Sequence, residues 1–454
     1  MNPIPRHPRA PAWSFLCLLG LVTSLGAAAP APAADEALRA RILSALTEGG
    51  TYAADVLLDE HGQARCDYNL TAGKWQPYEP AWHTGQIIYG LVEAYQITRQ
   101  PKFLAQAKHA AEWWLSLQIK DGSNLHGMLR AVHGGGIDYI VFATVSDGTG
   151  GLFALWRLTG DDRYAAVPTQ AGDWMLANMY EPTQRVFYDA VDPRTGAVQK
   201  ITSPFWPEKK TQVLFDVARP NNEGSLYKDM FAYTKNEKYR SVFVDLCDSL
   251  VEKQGPEGLW MDFIPNNRAK GRFHPRFNLW YAESLIEGYE LTGDQRYLAA
   301  ARKTLLFYTK FQQRDGSFYR DNFLDGTSKE NSVTGSTVSF AGLLWLRLTR
   351  HGAGAGFEAP LQRALQWVLA NRFAATHPDP NLAGAFYNLR SAAKGAKLEV
   401  LQRDLGTAFG LRFLAAYYRA NWPDGGKTAK PRRRRRRAAT PGAGPTNGGA
   451  APGN

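Results

Sequence analysis

Hydrophobic and polar positions alternate between two kinds of segment along most of the chain. In one kind, apolar and small residues fill nearly every position, as they do across residues 87–95. In the other kind, apolar residues recur at three- and four-residue spacing between polar ones, as they do across residues 164–175. A helix that is apolar on all sides is buried, whereas one with a single apolar stripe turns its other face to solvent. The pattern therefore predicts a buried inner layer and an amphipathic outer layer of helices.

A short turn motif separates the two kinds of segment. It reads Leu-Thr-Gly-Asp-x-x-Tyr in residues 158–164 and 291–297, and variants of it occupy residues 95–103 and 231–239. A degraded fifth copy begins at residues 346–352. Each copy places a helix stop signal a few residues before a helix start signal, which predicts the tip of a helical hairpin.

Six inner and six outer helices follow from this repeat. The amphipathic segment 36–46 supplies the outer partner of the last inner helix. Hairpins that repeat about every 60 residues and close on one another form a ring. The sequence therefore predicts an all-α fold, an (α/α)6 barrel over residues 35–426. The inner helices are predicted to begin near His83, Asp147, Asn222, Pro275, Thr334 and Asp404, and the other outer ones near Pro101, Asp161, Asn236, Asp294 and Ala359.

The connections are short at the hairpin tips and long where an outer helix returns to the next inner helix. All long returns must emerge at the end of the ring where the inner helices begin, which we call the funnel end. Long structured loops at one end of a rigid scaffold are typical of functional sites. The long returns are residues 119–146, 179–221, 255–274, 314–333 and 373–402.

The hairpin tips and the Asp-Gly-Ser-Phe-Tyr sequence of residues 315–319 resemble those of the six-hairpin glycosidase superfamily, over residues 36–422. That superfamily includes unsaturated glucuronyl hydrolases. N-acylglucosamine 2-epimerases, glucuronyl C5-epimerases and toroidal polysaccharide lyases have related barrels. The resemblance implies the barrel fold and a carbohydrate substrate bound in the funnel. It implies no particular reaction, because the recurrent motifs are structural and the relatives differ in chemistry.

The net charge of +11 is concentrated at the two ends of the chain. Residues 1–34 and 427–454 contain ten of the 53 Lys and Arg residues and none of the 42 Asp and Glu residues. The rest of the chain is therefore nearly neutral, which argues against nucleic acid as its partner. Residues 427–454, rich in Pro, Gly, Ala and Arg, are predicted to be a disordered basic tail that can touch anionic surfaces.

The N-terminus has the features of a secretory signal. Arg6 and Arg9 precede an apolar stretch over residues 13–25, and small residues follow up to Ala34. The apolar stretch is short for a membrane span, so residues 1–34 predict a cleaved signal peptide and a periplasmic or secreted protein, with an uncleaved anchor as the alternative. Beyond it the chain has two cysteines, Cys66 and Cys247, too few for a disulfide framework; they are either paired or free.

Four carboxylates at the funnel end are candidates for acid–base catalysis. Glu79 precedes the first inner helix, and Asp138 follows three glycines that let the backbone approach a ligand closely. Asp147 and Glu223 begin the second and third inner helices, where a carboxylate is also favourable as a helix cap. Glycoside hydrolysis needs two carboxyl groups, one to protonate the leaving oxygen and one to activate water or attack the anomeric carbon.

The return before the fourth inner helix carries the densest set of polar and aromatic side chains. His274 is a candidate proton carrier, and Arg with Asn can neutralise a uronate carboxylate so that its neighbouring C5 proton becomes removable. A solvated basic loop beside core aromatic residues is the structural alternative. The candidates for substrate binding, from this and the other funnel segments, are Trp82, His83, Asn222, Arg272, Arg276, Asn278 and Trp280.

Three functions are compatible with these residues. The first is an exported glycoside hydrolase that cleaves an anionic, uronate-containing poly- or oligosaccharide. The second is a polysaccharide lyase or uronate C5-epimerase that uses His274 and a Tyr with Arg and Asn. The third is a non-catalytic glycan-binding barrel. The number of funnel carboxylates favours the hydrolase. No Cys–His spacing is typical of zinc, and residues 134–136 lack the context of a nucleotide site, so neither a metal nor a cofactor is expected.

Overall fold

The computed structural model describes residues 32–203, 206–210, 214–221, 223–394 and 397–423. The chain divides into two compact units, Met1–Ala40 and Arg41–Asn454, and the barrel belongs to the second. The predicted basic tail and residues 1–31 of the predicted signal peptide lie outside the described residues. Within the described part, no helix combines the length and the apolar character that crossing a membrane requires.

The helices form the two predicted layers. In the inner helix that begins at Gly335, every residue as far as Leu346 is buried. The outer helix that begins at Pro101 buries a single stripe, which runs from Phe103 to Trp114. The inner helices are α2 (Pro80–Thr98), α4 (Phe142–Gly148) continued by α5 (Gly150–Thr159), α7 (Leu226–Thr234), α9 (Phe277–Thr292), α11 (Gly335–Arg350) and α13 (Leu405–Asn421). The outer helices are α1 (Pro32–Asp55), α3 (Pro101–Ser116), α6 (Arg163–Asn178), α8 (Glu237–Lys253), α10 (Gln295–Tyr308) and α12 (Glu358–Ala370).

The inner helices close into a ring. Each of them, with the turn that leads into it, contacts the next along the chain, and α13 packs against α2. Within the second unit, α1 completes the outer layer, because Gly49 lies against Leu411 of α13 and Gly50 against Phe103 of α3. The predicted (α/α)6 barrel is therefore confirmed.

The turn motif acts through local hydrogen bonds at the hairpin tips. Gly293 adopts a positive φ of 77° and ends α9 by donating its N–H to the carbonyl oxygen of Tyr289 at 2.7 Å. Asp294 then caps α10, because its side chain accepts the N–H of Arg296 at 2.9 Å. Glycine takes this backbone conformation without strain, and aspartate is a preferred N-cap. These two roles explain why Gly-Asp recurs at the tips.

Two inner helices begin at other residues than predicted. The second begins at Phe142, upstream of Asp147, and has an irregular turn at Thr149. The third begins at Leu226 after a short 3-10 turn, because the positive φ of 72° at Gly224 interrupts the helical conformation. Glu223 therefore lies in the turn before α7.

The long returns pair with one another at the funnel end as antiparallel sheets. One sheet joins returns from four different hairpins, which confirms that these loops gather at one end of the barrel. Among the described residues, its order is β11 (Arg272–Phe273), β12 (Tyr319–Phe323), β13 (Ser328–Val333), β14 (Leu389–Lys394), β15 (Lys397–Arg403), β1 (Asp67–Asn69) and β2 (Lys74–Gln76). The smaller sheets are β10 (Ala218–Arg219), β6 (Val186–Tyr188) and β5 (Tyr180–Glu181); β3 (Val132–Gly134), β4 (Ile137–Val141) and β7 (Ala190–Val191); and β8 (Thr202–Ser203) with β9 (Trp206–Lys210).

Candidate active site

A cavity at the funnel end brings together most of the residues that the sequence singles out. It lies where α2, α4 and α9 begin, and the turn before α7 forms part of its wall. The predicted residues in its lining contribute three carboxyl groups, one imidazole, one guanidinium and two indoles. These predicted residues are Glu79, Trp82, Asp147, Glu223, His274, Arg276 and Trp280.

Other predicted residues lie outside this lining. Asp138 is exposed on β4, and Arg272 pairs with Asp321, with 3.2 Å between Nε and Oδ1. Asn278 is fully buried and its side-chain oxygen accepts the backbone N–H of Trp260 at 3.0 Å, so it holds the return in place. His83 is also fully buried. Asn222 lies outside the described residues.

Glu79 is held as an anion by a neighbouring histidine. It is the N-cap of α2 with φ 47° and ψ 52°, and its carboxylate pairs with Nε2 of His133 on β3. The other ring nitrogen of His133, Nδ1, lies 3.1 Å from the carbonyl oxygen of Gly134, so both nitrogens face oxygen acceptors, which favours the imidazolium form. Burial disfavours both charges, yet their attraction lowers the pKa of Glu79 and raises the pKa of His133.

Asp147 is buried in the last turn of α4, just before α5 begins. The indole N–H of Trp82 donates to its Oδ2 at 2.5 Å, which fixes the orientation of the carboxyl group. Burial raises the pKa of Asp147, although the Trp82 hydrogen bond and the charge of Arg412 act in the opposite direction. This carboxyl is therefore a stronger base than an exposed aspartate.

Glu223 has the most perturbed carboxyl group in the cavity. Arg219 on β10 donates to its Oε1 at 3.2 Å, but the same guanidinium also pairs with Asp189 at 2.6 Å. Burial raises the pKa of Glu223 to about 8, and the nearby anion Asp147 adds to the shift against the effect of Arg219. Glu223 is therefore protonated at neutral pH, while Glu79 in the same cavity is ionised.

Arginines surround the other side of the cavity. Arg276 lies over the rings of Trp82 and Trp280, with its guanidinium carbon 5.3 and 5.5 Å from their centres. Burial and neighbouring cations lower the pKa of Arg276 to about 9 and that of Arg320 to about 10. Within the described part of the chain, neither of these arginines nor Arg390 forms an ion pair with a carboxylate. Arg276 is buried and Arg320 and Arg390 are half-buried. A cation that is removed from water without a carboxylate to balance its charge is costly, which is typical of a site that receives an anion.

His274 is a neutral hydrogen-bond donor in this cavity. Burial and the charges of Arg276 and Arg320 lower its pKa well below the usual range. Its Nδ1 accepts the backbone N–H of Arg276 at 3.2 Å. The ring proton is therefore on Nε2, so neither nitrogen is free to accept a proton from a substrate.

Three residues of the site were missed by the sequence reasoning: His133, Arg320 and Arg403. Arg320 and Arg403 line the cavity, and His133 orients Glu79. His133 adjoins the triple glycine of residues 134–136, and the other two precede inner helices on long returns. The rule that selected His274, a basic residue on a return at the funnel end, applies equally to them.

One buried cluster contains residue types that bind metals. Side-chain atoms of Cys66, His83 and Asp404 lie within 4.8 Å of one another. His83 Nδ1 is 2.6 Å from Asp404 Oδ1, and Arg403 donates to His83 Nε2 at 3.3 Å. A guanidinium in contact with the ring repels a metal cation and keeps the ring proton on Nδ1. These residues therefore fit a hydrogen-bonded core cluster better than a metal site. Cys66 and Cys247 are both free thiols in the core.

Comparison with known proteins shows the fold. No protein-family model and no curated protein sequence matches this chain. Among solved structures, cellobiose 2-epimerase from Bacillus thermoamylovorans B4167 is similar, with a TM-score of 0.63 and 14% identity over 84% of this chain and 99% of that one. An unsaturated glucuronyl hydrolase specific for heparin has a TM-score of 0.60, with 11% identity over 85% of this chain and 98% of its own. A polysaccharide lyase has a TM-score of 0.55, with 15% identity over 84% and 98%.

These similarities show the fold alone, and they agree with the predicted barrel. The three similar proteins are an epimerase, a hydrolase and a lyase, so the barrel is shared by enzymes with different chemistry on carbohydrates. The reaction of this chain must therefore be argued from its own cavity.

Proposed function

We propose that this protein is a carbohydrate-active enzyme that hydrolyses a glycosidic bond in an anionic saccharide. The observation that carries the proposal is the separation of protonation states within one cavity: Glu223 has a pKa of about 8, whereas the pKa of Glu79 is lowered. Glycoside hydrolysis requires one carboxylic acid and one carboxylate on either side of the scissile bond.

Each carboxyl group has a role in this proposal. Glu223 donates its proton to the oxygen of the leaving sugar. Asp147, oriented by Trp82, accepts a proton from the water that attacks the anomeric carbon. Glu79, kept ionised by His133, binds substrate hydroxyls and stabilises the positive charge that develops on the sugar ring.

The arginines of the cavity are the reason for proposing an anionic substrate. A uronate carboxylate beside Arg276 and Arg320 would balance the charge of these two cations, and the indoles of Trp82 and Trp280 line the same cavity. Because each hydrogen bond between charged groups contributes about 1.5–3 kcal/mol, these contacts favour uronates over neutral sugars.

The test is a panel of uronate-containing and neutral oligosaccharides incubated with the purified barrel, with reducing ends and ultraviolet absorbance followed together. We expect new reducing ends without the absorbance of an unsaturated uronate. Glu223→Gln should abolish turnover, and the matched carboxylate variant Glu237→Gln, exposed on α8, should retain it. Reducing ends accompanied by the absorbance would establish a lyase instead, and binding without turnover of any substrate would establish a glycan-binding barrel.

A further inference from the structure

A second cavity enters the barrel from the opposite end, where the inner helices finish. Its volume is about 400 Å³. The exposed residues Arg157, Lys235 and Glu290 lie along its outer part, and Asp147 lies at its inner end. The helical turns from Asp147 to Arg157 correspond to a depth of about 15 Å, at 1.5 Å per residue. The cavity therefore extends from these exposed residues to Asp147, which also lines the funnel cavity.

Charged side chains line this second cavity. Arg412 donates to Oε1 of Glu283 at 3.1 Å, and Nζ of Lys228 lies 2.8 Å from Oε2 of Glu287. Arg412 and Glu283 are both buried. Empty cavities in proteins are apolar, whereas a polar cavity of this size holds water, with room for roughly ten molecules. A cavity with this size and lining is therefore suited to hold water.

Asp147 lines both the funnel cavity and the second cavity. The wall between them is thin. Glu223 faces the funnel, and the adjacent Gly224 faces the second cavity. Gly224 packs so closely that a Cβ there would lie 2.3 Å from the Cα of Asp147.

Side chains beside the second cavity also hold Asp147 in position. Gln86 donates to the backbone oxygen of Asp147 at 3.1 Å, and Arg412 donates to the side-chain oxygen of Gln86 at 3.2 Å. Burial raises the pKa of Asp147, and the charge of Arg412 acts in the opposite direction. A carboxyl group that is held in position and borders a polar cavity is the arrangement that a base acting on water needs.

We propose that the water consumed in hydrolysis reaches Asp147 through this second cavity while a saccharide fills the funnel. The inference rests on the proposed function. The water oxygen bonds to the anomeric carbon as its proton passes to Asp147, and the glycosidic C–O bond breaks as Glu223 protonates the leaving oxygen. Asp147 then releases its proton into the water of the second cavity. Glu223 regains a proton from solvent when the product leaves the funnel.

Gly150 offers a direct test. It lines the second cavity, and a Cβ at this position would meet only Gly224 and Tyr89, at 3.9 and 4.0 Å. Gly150→Leu would therefore place its side chain in the passage without steric conflict at Cβ, and leucine is a good helix former. We expect kcat to fall at least tenfold and KM to stay within twofold. In the matched variant Gly150→Ala, which leaves the passage open, kcat should stay within twofold of wild type.

Two kinetic results would overturn the proposal. One is a wild-type kcat in Gly150→Leu. The other is a raised KM with an unchanged kcat, because the leucine would then disturb the funnel and not the supply of water.

A second measurement needs no turnover. In a high-resolution crystal structure of the wild-type protein, ordered water should extend from the rim near Lys235 to the carboxyl group of Asp147. A passage without water at Asp147 would overturn the proposal. If the wild type hydrolyses no saccharide although this water is present, the proposed function is wrong and the solvent passage to Asp147 still stands.

Discussion

Replacing Glu223 by Gln tests the protonation state on which the proposed chemistry depends. The side chain is 2% exposed, and burial raises its pKa from 4.5 to about 8. The unfolded chain loses this proton near pH 4.5, whereas the folded chain keeps it until about pH 8. The stability that the group contributes is therefore fully present below pH 4.5 and is lost as the pH rises through 8.

The magnitude follows from the two pKa values. One pH unit corresponds to about 1.36 kcal/mol. Keeping Glu223 in its native site therefore costs the wild type about 1 kcal/mol at pH 5, about 3 kcal/mol at pH 7 and about 5 kcal/mol at pH 9. Glutamine mimics the protonated carboxyl group, and its oxygen can still accept from Arg219. Glu223→Gln should exceed the wild type in stability by these amounts while it loses activity.

The assay is urea unfolding at pH 5, 7 and 9, followed by tryptophan fluorescence. The exposed control Glu237→Gln should differ from the wild type by the same small amount at each pH. If the difference between Glu223→Gln and the wild type is also constant from pH 5 to 9, Glu223 is ionised in the folded protein and the reasoning is refuted. Full activity of Glu223→Gln would refute its role as the proton donor.

Four further results are expected. The ratio kcat/KM should fall above about pH 8 as Glu223 ionises, and a profile without this decline would contradict the assignment of the acid. Arg320→Ala should lower kcat/KM about 10- to 100-fold for a uronate substrate and little for its neutral analogue, whereas equal losses would contradict anion recognition. Gly85→Ala should cost about 3 kcal/mol or more in thermal unfolding, because its Cβ would lie 1.9 Å from the carbonyl oxygen of Gly148. Mass spectrometry of the exported protein should find Asp35 at its N-terminus, and an intact Met1 would indicate an uncleaved anchor.

The order of the helices was predictable because its signals are local. Residues 158–164 and 291–297 carry their own stop and start signals, and the structure begins α6 at Arg163 and α10 at Gln295. Helix periodicity also predicted which layer each segment joins, because burial of a helix face depends on residues three and four apart. The rule that polar residues at the starts of inner helices or on the long returns can reach the funnel then selected Asp147 and Glu223 from many carboxylates.

The chemistry of the cavity depends on contacts between distant parts of the chain. The sequence presents Glu79 and Asp147 as equivalent carboxylates, but His133 lies beside one and Trp82 beside the other. His83 and Asp404 form a core hydrogen bond although most of the barrel separates them in sequence. Local periodicity predicts which face of a helix is buried. It contains no information on such distant partners or on how far a particular carboxyl group lies from solvent, and both determine the pKa values.

Amino-acid sequence alone therefore determined the ring of six hairpins, the end at which the returns gather and a set of polar residues that contains the proposed acid, the proposed base and Arg276. Tertiary structure decided which of them share a cavity and how burial and neighbouring charges shift their pKa values. It also decided that Asp147 borders the second cavity. The physical reason is the range of the forces involved. Helix and turn preferences act over a few residues, whereas desolvation and Coulomb interactions depend on every group that folding brings within several ångströms.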